Sequence, residues 1–148
     1  MNDSNLLVRA LRANAAYSIV SGSTIAIGAA ALDDWTGVPA WLLVAVGVGL
    51  IGFAVALLVG AGRPSLLVDV GRTAVLGDVA WLIGVAALVL ATDWLTTGGE
   101  VTLVLISIPV AAFAAAQWLG LRRLGDRGTN AERTGHSAAT GADRRVSA

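Results

Sequence analysis

The 148-residue chain has no cysteine, no lysine and a single histidine, His136, near its C-terminus. Without cysteine there are no disulfides, thiolate metal sites or iron–sulfur clusters, and one histidine excludes haem held between paired imidazoles. Charge is also sparse. Charged residues make up 14% of the chain, where an ordinary soluble domain carries about 25%. Ten arginines balance ten acidic residues, so no net basicity points to nucleic acid, and no such partner is expected.

What remains is apolar: 56% of the residues are hydrophobic and the mean hydropathy is +0.76. Four apolar stretches, 13–32, 40–60, 73–92 and 101–121, each approach the ~20 residues that cross a bilayer core. The first ends in Asp33-Asp34-Trp35 with no small-residue cleavage site, unlike a signal peptide. In lipid each span must satisfy its own backbone polar groups, which makes all four helical. The expected fold is therefore all-α, a four-helix transmembrane bundle over residues 1–123. Residues 124–148, rich in Gly, Thr, Ser, Ala, Arg and Asp without apolar periodicity, are expected to form a disordered cytoplasmic tail.

Charge placement orients the bundle. Arg9 and Arg12 precede the first span, Arg63 and Arg72 separate the second from the third, and the remaining six arginines follow the fourth. The other two loops hold Asp33, Asp34, Asp93 and Glu100 without a cation. The positive-inside rule then puts both termini in the cytoplasm, with Trp35, Trp41 and Trp94 at the outer headgroups. The all-arginine basic usage, with abundant Ala, Val and Gly, looks like a GC-rich bacterial gene, so the expected site is the bacterial cytoplasmic (inner) membrane.

An offset of sixty residues pairs Arg12 with Arg72, Asp33 with Asp93, Thr36 with Thr96, Phe53 with Phe113, Gly60 with Gly120 and Arg63 with Arg123. These matches suggest two similar hairpins related by an approximate twofold along the membrane normal. On the second helix Ala45, Gly49, Gly52, Ala56 and Gly60 form a small-residue stripe of the kind that lets helices approach closely. Ser18, Gly22, Ala26 and Ala30 on the first helix, and Ala112, Ala116 and Gly120 on the fourth, offer matching faces. Pro109 is expected to kink the fourth helix, with Gly49 as its repeat partner.

Asp78 is the one acid well inside a span. Six residues beyond Arg72, at ~1.5 Å per residue, place it about 9 Å inside the arginine-side boundary. A lone carboxylate there needs a partner or a proton and is expected to face the bundle interior. Trp81 lies one turn along the same face, and Asn14, Ser18 and Gln117 fall at similar depth. Asn14, Ser18, Asp78 and Gln117 are expected to converge into one polar cluster opening towards the cytoplasm. With Trp81 they are the candidate ligand- or proton-binding residues. The same cluster also reads as a clasp between helices, at ~0.6 kcal/mol per contact. The outer acids lack the spacing of a calcium loop, so no metal or other cofactor is expected.

Asn14-x3-Ser18-x2-Ser21-Gly22, Asp78-x2-Trp81-x2-Gly84 and Gln117-Trp118-x-Gly120 resemble a pattern in small four-helix bacterial membrane proteins to which no activity is assigned. The likeness spans residues 6–123 and implies the same fold, with no substrate or cofactor to carry over. The doubled hairpin is more distantly similar to the DoxX-like proteins. The chain differs from small multidrug transporters, which resemble it in having four short helices but carry a glutamate in the first.

No intramembrane His, Cys or Lys accompanies Asp78, so the acid–base pair of a hydrolase is missing. The expected function is a non-catalytic scaffold or accessory subunit in the lipid bilayer, docking a membrane protein or a second copy of itself. The alternative is a small transporter or binding protein for an apolar or cationic ligand, with Asp78 as its charge site.

The topology is tested with single cysteines. Those at Thr36 and Thr97 should react with a membrane-impermeant maleimide in intact cells, and one at Gly128 should not. Labelling at Gly128 in sealed cells would reverse the orientation.

Overall fold

The computed structural model describes residues 5–91, 93 and 95–125 in full, and the helical backbone of 3–4 and 126–146. Trp94 and the end of the third expected span fall outside the described residues, as do the side chains of the tail expected from 124 onward, beyond Gly125. Among the described residues there is no strand. Five α-helices follow one another: α1 Asp3–Ile27, α2 Ala29–Thr36, α3 Ala40–Ala61, α4 Leu67–Ala91 and α5 Thr97–Val146. A 3₁₀ turn, Pro64–Leu66, joins α3 to α4.

Three segments among the described residues, Ala40–Ala61, Pro64–Ala91 and Thr97–Gly125, are long and apolar enough to cross a membrane. The N-terminal segment differs from the straight span expected at 13–32. The chain bends by 85° between α1 and α2, and the break falls at Gly28. Glycine suits that turn because a Cβ there would lie 2.9 Å from the Thr24 carbonyl oxygen. Hydrogen bonds continue on either side, from Gly28 N to Thr24 O and from Leu32 N to Gly28 O, each 2.9 Å. α3 and α5 run as unbroken helices through Gly49 and Pro109.

α2 therefore lies across the acidic end of the bundle. Its junctions are built from side-chain caps. Asp33 Oδ2 accepts the Ala40 N–H at the start of α3 (3.1 Å), one of the free donors of a helix N-terminus. Thr96 caps α5 by accepting the Gly99 N–H (3.0 Å). The Thr96 N–H reaches the Thr36 carbonyl (3.1 Å), and its hydroxyl donates to the Trp35 carbonyl. Gly99 permits this approach, since a Cβ there would sit 2.4 Å from Thr36 O.

α1 is the central helix. It packs mainly against α3 and α5, α5 also packs on α4, and the α3–α4 and α1–α4 interfaces are smaller. Its buried face runs Leu7, Leu11, Asn14, Ala15, Ser18 and Gly22, the i, i+3, i+4 spacing of one helical stripe. The apolar core sits at the arginine end, where Leu7, Leu11 and Ala15 meet Ala54, Leu57 and Ala61 of α3 and Ala74 of α4. Leu67, Val70, Leu121 and Leu124 pack around it.

Of the small-residue stripe on α3 only Gly60 packs, against Val70. Ala45, Gly49, Gly52 and Ala56 are exposed, and Gly47, Ala54, Leu57, Gly60 and Ala61 are buried. The close crossing of α1 and α3 is instead at Gly22 and Gly47. A Cβ on either would fall 2.6 Å from the other's carbonyl oxygen. Ala26 packs there as expected, but Ala30 is exposed on α2; on α5 Gly120 is buried as expected, whereas Ala112 is exposed, Ala116 is half-buried, and Val110, Ala114 and Gln117 share the buried face. Small residues alone did not reveal which side of a nearly uniform apolar helix faces inward.

The crossing yields a prediction of opposite signs. Gly47→Ala should cost ~1–3 kcal/mol, because backbone has to move to admit the methyl. Gly52 has nothing within 4 Å of a would-be Cβ, and Gly52→Ala should be neutral or up to ~1 kcal/mol stabilising. Unfolding of both variants in the same detergent measures the contrast.

Candidate functional site

α1 and α4 share a small interface, and at its centre the contact is polar. Asn14 donates its side-chain amide to both carboxylate oxygens of Asp78, at 3.1 Å and 2.8 Å. Ser18, one turn along α1, donates to Asn14 Oδ1 at 3.3 Å. Ser18 thereby turns the Asn14 amide so that its NH₂ faces the acid. Asn14, Ser18, Asp78 and Gln117 are all buried, between 0% and 4% exposed. The four residues expected to converge do so.

Their bonding is unequal. Gln117 reaches the same carboxylate from α5, but neither its Oε1 nor its Nε2 completes a hydrogen bond of good geometry. Trp81 Nε1 is likewise buried without a partner. Buried polar atoms without partners are rare in folded proteins, and here two such side chains flank one acid. Trp118, beside Gln117, is half exposed and faces away, its ring 4.5 Å from the Arg122 guanidinium.

Asp78, Asn14, Ser18 and Trp81 also line a cavity of about 360 Å³. Along each long helix the cavity begins where the apolar core stops. On α1 the core occupies 7–15 and the cavity wall 14–25; on α4 they occupy 67–74 and 77–81. α3 runs the other way and changes from wall to core at Phe53, which touches both. The expected opening towards the arginine side is thus corrected: leucines and alanines close that end. The cavity extends from Asp78 towards the acidic end, where Leu32 of α2 and Thr102 of α5 border it.

The wall is apolar, from Leu50, Phe53, Ile106 and Val110, with hydroxyls of Ser18, Ser21, Thr24 and Thr102. Among the described residues lining it, Asp78 alone is charged. Tyr17 donates to the Ile106 carbonyl at 3.1 Å and packs on Phe113 with ring centroids 5.7 Å apart. That pair holds α1 to α5 beside the cavity. Opposite, Phe53 covers Gly77, where a Cβ would lie 3.1 Å from its ring. Sequence reasoning missed Phe53 and Thr102 as site residues, because nothing in their spacing separates a cavity wall from ordinary packing.

No cluster of three or more His, Cys, Asp or Glu forms among the described residues. The arrangement offers a carboxylate held by a neutral amide, in an otherwise apolar space large enough for a small organic molecule. No protein-family model, curated protein or solved structure matches the chain.

The Asn14–Asp78 pair makes a direct prediction. Asp78→Asn preserves hydrogen bonding across the α1–α4 contact and should unfold close to wild type in detergent. Asp78→Leu strands the buried Asn14 amide and should lose about 1–3 kcal/mol, the cost of leaving a buried polar group without a partner. Equal stability of all three would show that the pair holds nothing together.

Proposed function

We propose that this chain is a bacterial inner-membrane protein of four spans, both termini cytoplasmic, that binds a small ligand in the space above Asp78 and performs no chemistry on it. α1 with α2 is the first span, its acidic end turned along the membrane surface at Gly28. The arginine distribution supports this orientation, as do the exposed Trp35 and Trp41 at the acidic end. Four spans are also what the likeness to small four-helix bacterial membrane proteins implies.

Contacts in the fold support descent from a doubled hairpin. Thr36 and Thr96, sixty residues apart, lie together, the Thr96 N–H donating to the Thr36 carbonyl. The Tyr17–Phe113 contact corresponds under the same offset to the Gly77–Phe53 contact. Divergence then accounts for the site. Asn14 stands opposite an alanine in the repeat, Asp78 opposite Ser18 and Tyr17 opposite Gly77, so the acid and its donor arose once each and face each other.

The observation that carries ligand binding is the cavity itself. A clasp needs only that Asn14 and Asp78 meet; it does not need about 360 Å³ of space beside them. The hydrogen bonds between α1 and α4 also favour a second reading, a structural clasp in a scaffold or accessory subunit docking a membrane partner or a second copy. Ligand binding and the clasp are compatible in one protein, and the cavity supports binding as the function.

Filling the cavity distinguishes them. Small amphiphiles screened by thermal unfolding should include some that stabilise the wild type, by about 2.7 kcal/mol at a hundredfold excess over Kd. Ser21→Trp, which puts a large ring into the cavity, should abolish that stabilisation and leave the fold intact. If no amphiphile stabilises the wild type, the binding reading falls and the clasp stands.

A further inference from the structure

Resting on that binding reading, we infer that the ligand is a lipophilic cation, an organic ammonium whose charge sits beside Asp78 and whose apolar part runs along the cavity towards Leu32. The charge balance of the cavity is the first argument. Asp78 is the only charged residue among the described lining, and no arginine borders the space. Its one hydrogen-bonding side chain of good geometry, Asn14, is neutral. Both contacts come from a single Asn14 nitrogen, whereas a carboxylate has about four acceptor positions. The acid is thus positioned by the protein but left without a counter-charge.

The aromatic residues supply the second argument. The chain has five Trp, two Phe and one Tyr, and Tyr17, Phe53 and Trp81 all line this cavity. They come from three helices, α1, α3 and α4, and Trp81 is one turn from Asp78. Aromatic faces attract organic cations through the ring quadrupole, more strongly when water is excluded. A purely apolar ligand would have no use for a buried acid. An anionic one would be repelled by it. A small metal ion would leave most of the apolar space unused.

The test compares benzyltrimethylammonium with its uncharged isostere neopentylbenzene, which has the same shape without the charge. Binding to the purified full chain in a neutral detergent is read by thermal shift, each value taken relative to the blocked Ser21→Trp variant so that partitioning into the micelle cancels. The cation should bind the wild type at least about tenfold more tightly than the isostere does. Asp78→Asn should abolish that preference while unfolding near the wild-type temperature without ligand. Trp81→Leu should weaken the cation by roughly two- to thirtyfold and the isostere by less. If the isostere binds as well as the cation, and Asp78→Asn changes neither, the cavity is an apolar site and the proposal is overturned while ligand binding survives. If neither probe binds the wild type, the proposal is overturned and the binding reading loses its support as well.

Discussion

A carboxylate inside an apolar helical assembly has to be held by something, and here it is held by Asn14. The amide of Asn14 spans both oxygens of Asp78, and Ser18 fixes which way that amide points. The α1–α4 interface is small, so this contact does much of the joining there. Its neighbours are arranged around it. Leucines and alanines close the arginine side, and a cavity opens on the other. The fold thus changes from packed to hollow at the level of one acid.

That change follows from where bulk is placed along the helices. Near the arginine end Leu7 and Leu11 of α1 fill the centre, aided by alanines and glycines that let neighbouring backbones come close. Beyond Asn14 the same face of α1 carries Ser18 and Ser21, whose short side chains line the cavity. α3 crosses α1 closely at Gly22 and Gly47, and its Phe53 stands against Gly77 of α4. The bend at Gly28 then carries α2 across the end, tied to α5 through Thr36 and Thr96. The hollow results from a short run of small side chains bounded by fixed contacts at either end.

Much of this was legible in the sequence, and the parts that were not share a cause. The helical class and the long apolar segments follow from composition, because a chain this poor in charge has few other solutions. The convergence of Asn14, Ser18, Asp78 and Gln117 follows from cost: a buried acid draws polar groups to its own depth. Facing was not legible on α3, where apolar residues lie all round and Gly49 resembles Gly47 in every local respect. Only the partner at Gly22 distinguishes them. The 85° turn was hidden for a similar reason, since Gly28 lies in a run of alanines that reads as continuous span. The direction of the cavity depended on comparing side-chain bulk across four helices at once, which single-helix periodicity does not reveal.

The site depends on Asp78 being bound to Asn14 in the interior, and this can be measured directly in a lipid bilayer. Protein with ¹⁵N in its asparagine side chains and ¹³C in its aspartate carboxyls should show dipolar dephasing by solid-state NMR, at the short range set by hydrogen bonds of 2.8–3.1 Å. The signal should vanish in Asn14→Leu. Dephasing that survives that substitution, or none in the wild type, would mean that Asp78 is held elsewhere and that the site described is not the one the protein builds.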